Sequence, residues 1–264
     1  MAGLDSERLG LNPTAPHETR ALIDWARASG FAAVQLNAAA PGIRPRDLDR
    51  SGRRDLAALL RRSDLACAGL DLWIPPEHFV SSAHVDRAVA AVFAAVELAS
   101  ELSLLAVDGK KSPADRRGAA LCLTLPASPP ADIVAAISTH AARHGVRIAD
   151  HAWPIADPTA DASPWIGVGI DPAAVLSAGE DPAALAARLG SRLAAARVTD
   201  VAAAGPTAGR IAPGAPGGRL DLLAYAASLT VAGYSGWAVL DLRGVPDQAA
   251  AAAIAQEAWQ AAAL

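Results

Sequence analysis

Short apolar runs alternate along this chain with longer stretches in which apolar residues recur at helical spacing. The runs at 8–12, 31–37, 65–73, 119–126, 146–153, 165–171, 193–200 and 236–242 are predicted strands. Helical periodicity falls between them, first at 16–29, where Gly30 closes the segment. Further helices are predicted at about 53–62, 83–101 and 130–144, the last stopped by Gly145. Others open near Asp181-Pro182 and near Leu220, and an alanine-rich helix covers 248–264. The polar stretch 108–118 and the Gly/Pro-rich stretch 205–221 are predicted loops.

Eight strands alternating with helices in one chain of 264 residues predict an α/β fold, a closed parallel eight-stranded (β/α)8 TIM barrel. No internal boundary is visible, so 1–264 is expected to form a single domain. A doubly wound open sheet would want a glycine-rich fingerprint after its first strand, and LGLNPTAP carries none.

Composition narrows this picture mainly by exclusion. With 52% hydrophobic and 19% charged residues, the chain has enough apolar surface to offset its conformational entropy, which excludes disorder. A net charge of −4 argues against a nucleic-acid arm. Cys67 and Cys122 each sit in an apolar run and read as buried thiols, not a disulfide framework. Roughly a quarter of the residues are alanine, which favours helix and names no chemistry. Lys110 and Lys111 are the only lysines, so arginine is the background cation. The first residues lack the pattern of a signal peptide. The uncharged stretch 222–240 is broken by AGYSG into a helical half and a strand-like half. The expectation is a cytoplasmic protein that does not insert into a membrane.

A barrel of this kind carries its chemistry at the C-terminal ends of its strands. The polar residues predicted there are Asn12, Gln35, Asn37, Asp71, Trp73, Asp150, His151, Asp171, Arg197, Asp200, Asp241 and Arg243, with Glu77 and His78 just beyond the third strand. Asp171 before Pro172, and Asp181 before Pro182, also have the form of helix N-caps with proline in the first turn. Arg210 and Arg219 in the 205–221 loop are candidate anion contacts, although no G-K-[ST] motif is present.

Several segments carry a family likeness. GVRIADHAW, GVGIDPAAVLSAGEDP, RVTDV, PGGRLDL and AGYSGWAVLDLRG resemble the xylose-isomerase-like TIM barrels, and GFAAVQLN resembles that family's second strand. The group includes sugar isomerases and epimerases, inosose dehydratase-type lyases and AP endonucleases. The resemblance implies one divalent metal, Zn, Mn or Mg, held at the ends of strands five to eight while carboxylates move a proton between adjacent carbons. Matched position by position, the strand-five ligand falls near His151, beside Asp150. The strand-six Asp is Asp171, the His three residues later is Ala174, the strand-seven His is Arg197, and the strand-eight Glu is Asp241. His151, Asp171 and Asp241 therefore remain as metal ligands, while Ala174 and Arg197 weigh against a metal because a guanidinium cannot ligate one.

The resemblance implies an isomerase or epimerase-like protein moving a proton on a small sugar, polyol or sugar acid. Asp171, Asp241 and His151 would be its acid, base or metal ligands, and Arg197, Asp200, His78, Trp73 and Arg243 its substrate contacts. The alternative is a degenerate barrel that binds a small carbohydrate or partner without turnover. In either case the expected partner is a small carbohydrate and not nucleic acid; a homo-oligomer is compatible with the pattern. An AP-endonuclease-like role would want a basic, aromatic-bearing surface. The arginines of 44–62 are instead interleaved with Asp47, Asp49 and Asp55 and read as a solvated face with helix caps. His140 and His144, four apart on a helix, have chelating spacing but lack the intervening Glu of a zinc-protease helix, and are expected to be solvent-exposed.

Overall fold

The alternation of short apolar runs and amphipathic segments becomes a ring of parallel strands joined by helices. The computed structural model describes residues 9–11, 19–105, 119–155, 163–202 and 209–262. Its strands are β1 (Leu9–Leu11), β2 (Ala33–Asn37), β3 (Ala66–Asp71), β4 (Ala120–Leu123), β5 (Ile148–Asp150), β6 (Ile166–Ile170), β7 (Leu193–Val198), β8 (Asp200–Val201), β9 (Arg210–Ile211) and β10 (Ala238–Leu240). The helices are α1 (Thr19–Ala28), α2 (Arg50–Arg62), α3 (Val85–Leu105), α4 (Ala131–His144), α5 (Pro172–Ser177), α6 (Pro182–Leu189), α7 (Leu222–Val231) and α8 (Gln248–Ala262). The strand order β1-β10-β7-β6-β5-β4-β3-β2 is that of a closed barrel, the TIM-barrel topology that the alternation predicts. Packing gathers the chain into two units, Met1–Val34 with Ile170–Leu264, and Gln35–Gly169.

In the first unit β10 lies between β1 and β7, with Leu11 opposite Leu240 and Val239 opposite Arg197. That register places Arg197 one residue before the end of β7 and Asp241 immediately after β10. Four helices here begin on aspartates whose side chains accept a backbone N–H. Asp171 takes that of Ala173, Asp181 that of Ala183, Asp221 that of Ala224 and Asp247 that of Ala250. α5 is a separate short helix ahead of α6, so the Asp171-Pro172 cap starts an element of its own. The uncharged 222–240 stretch divides as expected, into α7, a turn at Gly233 with φ 69°, and β10. Trp259, Tyr225 and Ile23 are fully buried in this unit.

The second unit is built on β3, β4 and β5, in register through Gly69 opposite Ala120 and Leu121 opposite Ile148. Gly69 has φ 154°, and a side chain there would overlap the Ala120 carbonyl, so this strand pair needs glycine. α2 starts at Arg50, three residues before its predicted start, because Asp49 caps it by accepting the Gly52 N–H at 2.7 Å. Among the described residues α3 alone is long and apolar enough to cross a membrane. Val92, Ala95, Val96, Leu98, Ala99 and Leu102 of α3 are all buried, as in a core helix. Cys67 and Cys122 are buried and form no disulfide. Asn12 and the 108–118 loop lie outside the described residues.

Candidate functional site

Strand alternation carries Arg197 and Thr199 to the same side at the end of β7. Arg197 is 8% exposed and Thr199 1% exposed, so both polar groups must be satisfied inside the protein. The Thr199 hydroxyl donates to Asp171 Oδ1 at 2.5 Å and accepts the Ala173 N–H at 2.9 Å. The same Asp171 oxygen caps α5. One oxygen of Asp171 is thus committed to folding the β6–α5 junction, as the N-cap reading anticipates. The other, Oδ2, receives Arg210 Nη2 at 2.5 Å and lies 3.9 Å from Arg197 Nη1.

Asp241 follows β10 with its side chain completely buried. Arg243 Nε lies 2.9 and 3.0 Å from its two oxygens, and the Arg243 backbone N–H donates to Oδ1 at 3.0 Å. Arg210 Nη1 is 3.2 Å and Arg197 Nε 3.7 Å from Oδ2. Burial alone would push the Asp241 carboxyl up. The Arg243 hydrogen bonds and the charges of Arg197 and Arg210 outweigh it and hold the group below the ordinary carboxylate range. Arg210 therefore bridges both aspartates, and three guanidiniums face two carboxylates.

The ribbon that delivers Arg210 falls where a glycine-rich loop is predicted. β8 and β9 pair antiparallel, Asp200 opposite Ile211 and Val201 opposite Arg210. Asp200 organises the return of this loop: its Oδ1 accepts the N–H groups of Val201, Arg219 and Leu220 at 2.7, 2.9 and 2.9 Å. Gly218 packs directly against Asp200 Oδ2, with no room for a Cβ. Below Arg197, the buried Tyr225 donates its hydroxyl proton to the Arg197 carbonyl at 3.0 Å.

This arrangement does not suit a divalent metal. Each oxygen of Asp171 and Asp241 already accepts a hydrogen bond, and the surrounding guanidiniums give the cluster a surplus of positive charge. A dication placed there would displace charge-assisted hydrogen bonds and face several fixed cations. The side chains of Arg210 and Arg243 keep 25% and 32% of their exposure, so donor nitrogens remain within reach of a ligand.

The other residues singled out from the sequence belong to the Gln35–Gly169 unit. His151 follows β5, its backbone N–H donating to the Leu123 carbonyl at 2.8 Å. Its ring packs against Gly169, where a Cβ would overlap it. Asp150 Oδ1 accepts the N–H groups of Leu125 and Ala152 at 3.0 and 2.9 Å. Burial raises the Asp150 pKa, and those two hydrogen bonds offset only part of the shift. Trp73 is 70% exposed just beyond β3. His78 sits in the 3-10 turn Pro76–Phe79, its ring 4.5 Å from that of His84. Asp171, Asp241, Arg197 and Arg243 are thus brought together with Arg210, while Asp200 shapes the adjoining loop. Thr199 escapes a reading of charged residues, although its even spacing from Arg197 on a strand is a signal for it.

The model for the xylose isomerase-like TIM barrel matches residues 23–262. A xylose isomerase domain protein from Planctomyces limnophilus superposes with TM-score 0.67 at 17% identity, over 97% of this chain and 94% of its own. An L-ribulose 3-epimerase superposes with TM-score 0.63 at 14% identity, over 96% of this chain and 95% of its own. A probable 3-DHS dehydratase from Bacillus anthracis gives 0.68 at 11% identity, over 94% and 97%. At these identities the likeness is one of fold. No curated protein matches the sequence.

Proposed function

The chain belongs to the xylose isomerase-like TIM barrel family, and from that premise we propose that it binds a small anionic carbohydrate, a sugar acid or sugar phosphate, without a metal at its strand ends. The observation that carries this reading is the clamping of Asp171 and Asp241 by Arg197, Arg210 and Arg243. The family resemblance gives that region to metal ligands; here it holds planar donors suited to a carboxylate or phosphate. The sugar class is supported by relatives described as acting on ribulose and psicose. In this reading Arg243 and Arg210 contact the anion, Arg197 holds the carboxylates apart from it, and Asp200 positions the loop bearing Arg219. A cytoplasmic location goes with this reading.

Turnover by proton transfer is the second reading, and one observation favours it. Asp150, raised by burial, stands beside His151 in sequence, a pairing of residue types that general acid–base work uses. In that reading Asp150 and His151 are the groups that exchange the proton.

Calorimetric titration of the metal-free protein with gluconate, glucose 6-phosphate and neutral glucose tests the first reading. Binding of an anion but not of glucose, lost in Arg243→Ala and weakened by salt, is the expected result. Solvent deuterium incorporation into a neutral sugar, appearing only when Mn2+ or Zn2+ is added and lost in Asp171→Asn, would overturn it. Deuterium incorporation without metal, lost in Asp150→Asn, would instead establish the second reading.

A further inference from the structure

On the helical face of the Gln35–Gly169 unit, α3 and α4 bring three ligating side chains together. His140 and His144 are one turn apart on α4 and project to the same side. Their rings lie 4.6 Å apart, and Glu97 of α3 approaches from across the helix pair, its Oε1 3.5 Å from His140 Nε2. One donor atom from each of the three residues lies within 4.8 Å of the others. Contrary to the expectation of solvent-exposed histidines, all three are half-buried, and the His140 side chain is only 15% exposed.

The surroundings hold these groups in place. Phe93, one helical turn before Glu97, stacks on the His140 ring at 4.1 Å with the planes 13° apart. Ser100 donates its hydroxyl proton to the His144 carbonyl at 2.9 Å, tying the end of α4 to α3. His140 Nε2 is buried, and in the described structure it has no hydrogen-bond partner, only the Glu97 carboxylate beyond hydrogen-bonding geometry. A buried imidazole nitrogen aimed at a carboxylate, with a second imidazole beside it, is a donor set of the kind a divalent transition metal takes.

We propose that Glu97, His140 and His144 form a divalent transition-metal site, best suited to zinc, that staples α3 to α4. Two imidazole nitrogens and one carboxylate oxygen are borderline donors, which suit zinc over magnesium or calcium. Bonds of about 2.0 Å set tetrahedral donors about 3.3 Å apart. Reaching that spacing from separations of up to 4.8 Å takes rotamer adjustment of His144 and of Glu97, whose side chain is 42% exposed. Three protein ligands leave the fourth position to water. The site is separate from the strand-end aspartates, and its occupancy does not depend on any reading of them.

The test uses the untagged chain after exhaustive chelation and dialysis. Titration with Zn2+ is expected to show one ion per chain and a raised thermal midpoint. Co2+ is expected to give visible absorption of tetrahedral character. His144→Ala and Glu97→Gln are each expected to weaken zinc binding by about tenfold or more. His140→Ala also loses packing on Phe93, so His140→Gln is measured beside it to separate ligation from folding. Asp171→Asn and Asp241→Asn are expected to leave zinc binding unchanged. The proposal is overturned if the wild-type chain takes up no zinc. It is equally overturned if His144→Ala binds zinc as the wild type does, or if uptake is lost only in the aspartate variants.

Discussion

Arg243 grips the carboxylate of Asp241, two residues earlier in the chain, with its Nε within hydrogen-bonding distance of both oxygens, at 2.9 and 3.0 Å. Two residues of separation place both side chains on the same side as the chain leaves β10, so the fork forms locally. Arg210 and Arg197 then close on the same carboxylate from other segments. Removing the charge strands three guanidiniums around a neutral, completely buried group. Asp241→Asn is therefore expected to lower stability by roughly 3–5 kcal/mol, as for one partner lost from a buried ion pair. A urea denaturation midpoint unchanged from wild type would contradict this.

The same pair has a pH signature. The Asp241 carboxyl is depressed in the folded state, so its stabilising contribution is complete above the unfolded value of about 3.9. It is lost as pH falls through the lower folded value. Acid unfolding of the wild type should be steepest below pH ~4, and Asp241→Asn should flatten that limb. Circular dichroism followed against pH for the two proteins provides the comparison.

Asp150 predicts the opposite dependence. Its raised folded value means that its contribution is present below the unfolded value of about 3.9 and is lost as pH rises through the folded value. An asparagine keeps one oxygen to accept the Leu125 and Ala152 N–H groups and has no charge to desolvate. Asp150→Asn should exceed the wild type in stability near neutral pH, with the gap narrowing toward pH ~4. Equal denaturation midpoints at both ends of that range would contradict the assignment.

Asp200 and Gly218 should behave as a coupled pair. Asp200→Ala strands the N–H groups of Arg219 and Leu220, and Gly218→Ala pushes a Cβ into the space of the carboxylate. Each change should cost about 1–3 kcal/mol. The double variant should cost less than their sum, because the methyl meets no carboxylate once Asp200 is gone. Faster amide exchange at Arg219 and Leu220 would localise the damage.

Cys67 is buried without a charged partner, and burial pushes its thiol up to about 12. It should resist a disulfide reagent in the native protein at pH ~8 and react at once in guanidinium, since the thiolate is the reactive form. Rapid labelling of native Cys67 would show that β3 opens locally.

Most of the fold was legible because it depends on local patterning. The short apolar runs became strands, the aspartate-proline pairs became helix starts, and AGYSG broke the uncharged stretch where it was expected to. The extra ribbon was not legible, since Asp200 and the N–H groups it collects are about twenty residues apart and no local spacing joins them. The candidate site was legible by residue type and position: Asp171, Arg197 and Asp241 stand at strand ends that alternation alone picks out.

What those residues do to one another was decided by tertiary structure. The resemblance read from the sequence puts Arg197 and Ala174 where the family has ligand histidines, and so leads one to expect a broken metal pattern. It does not say what fills the space. Arg210 reaches both aspartates only because an antiparallel ribbon returns it to the end of β7. Glu97 meets His140 and His144 only because α3 and α4 pack along one face. Periodicity is a property of neighbouring residues and survives in the sequence. Charge pairing between distant segments depends on distance through space, which folding alone supplies.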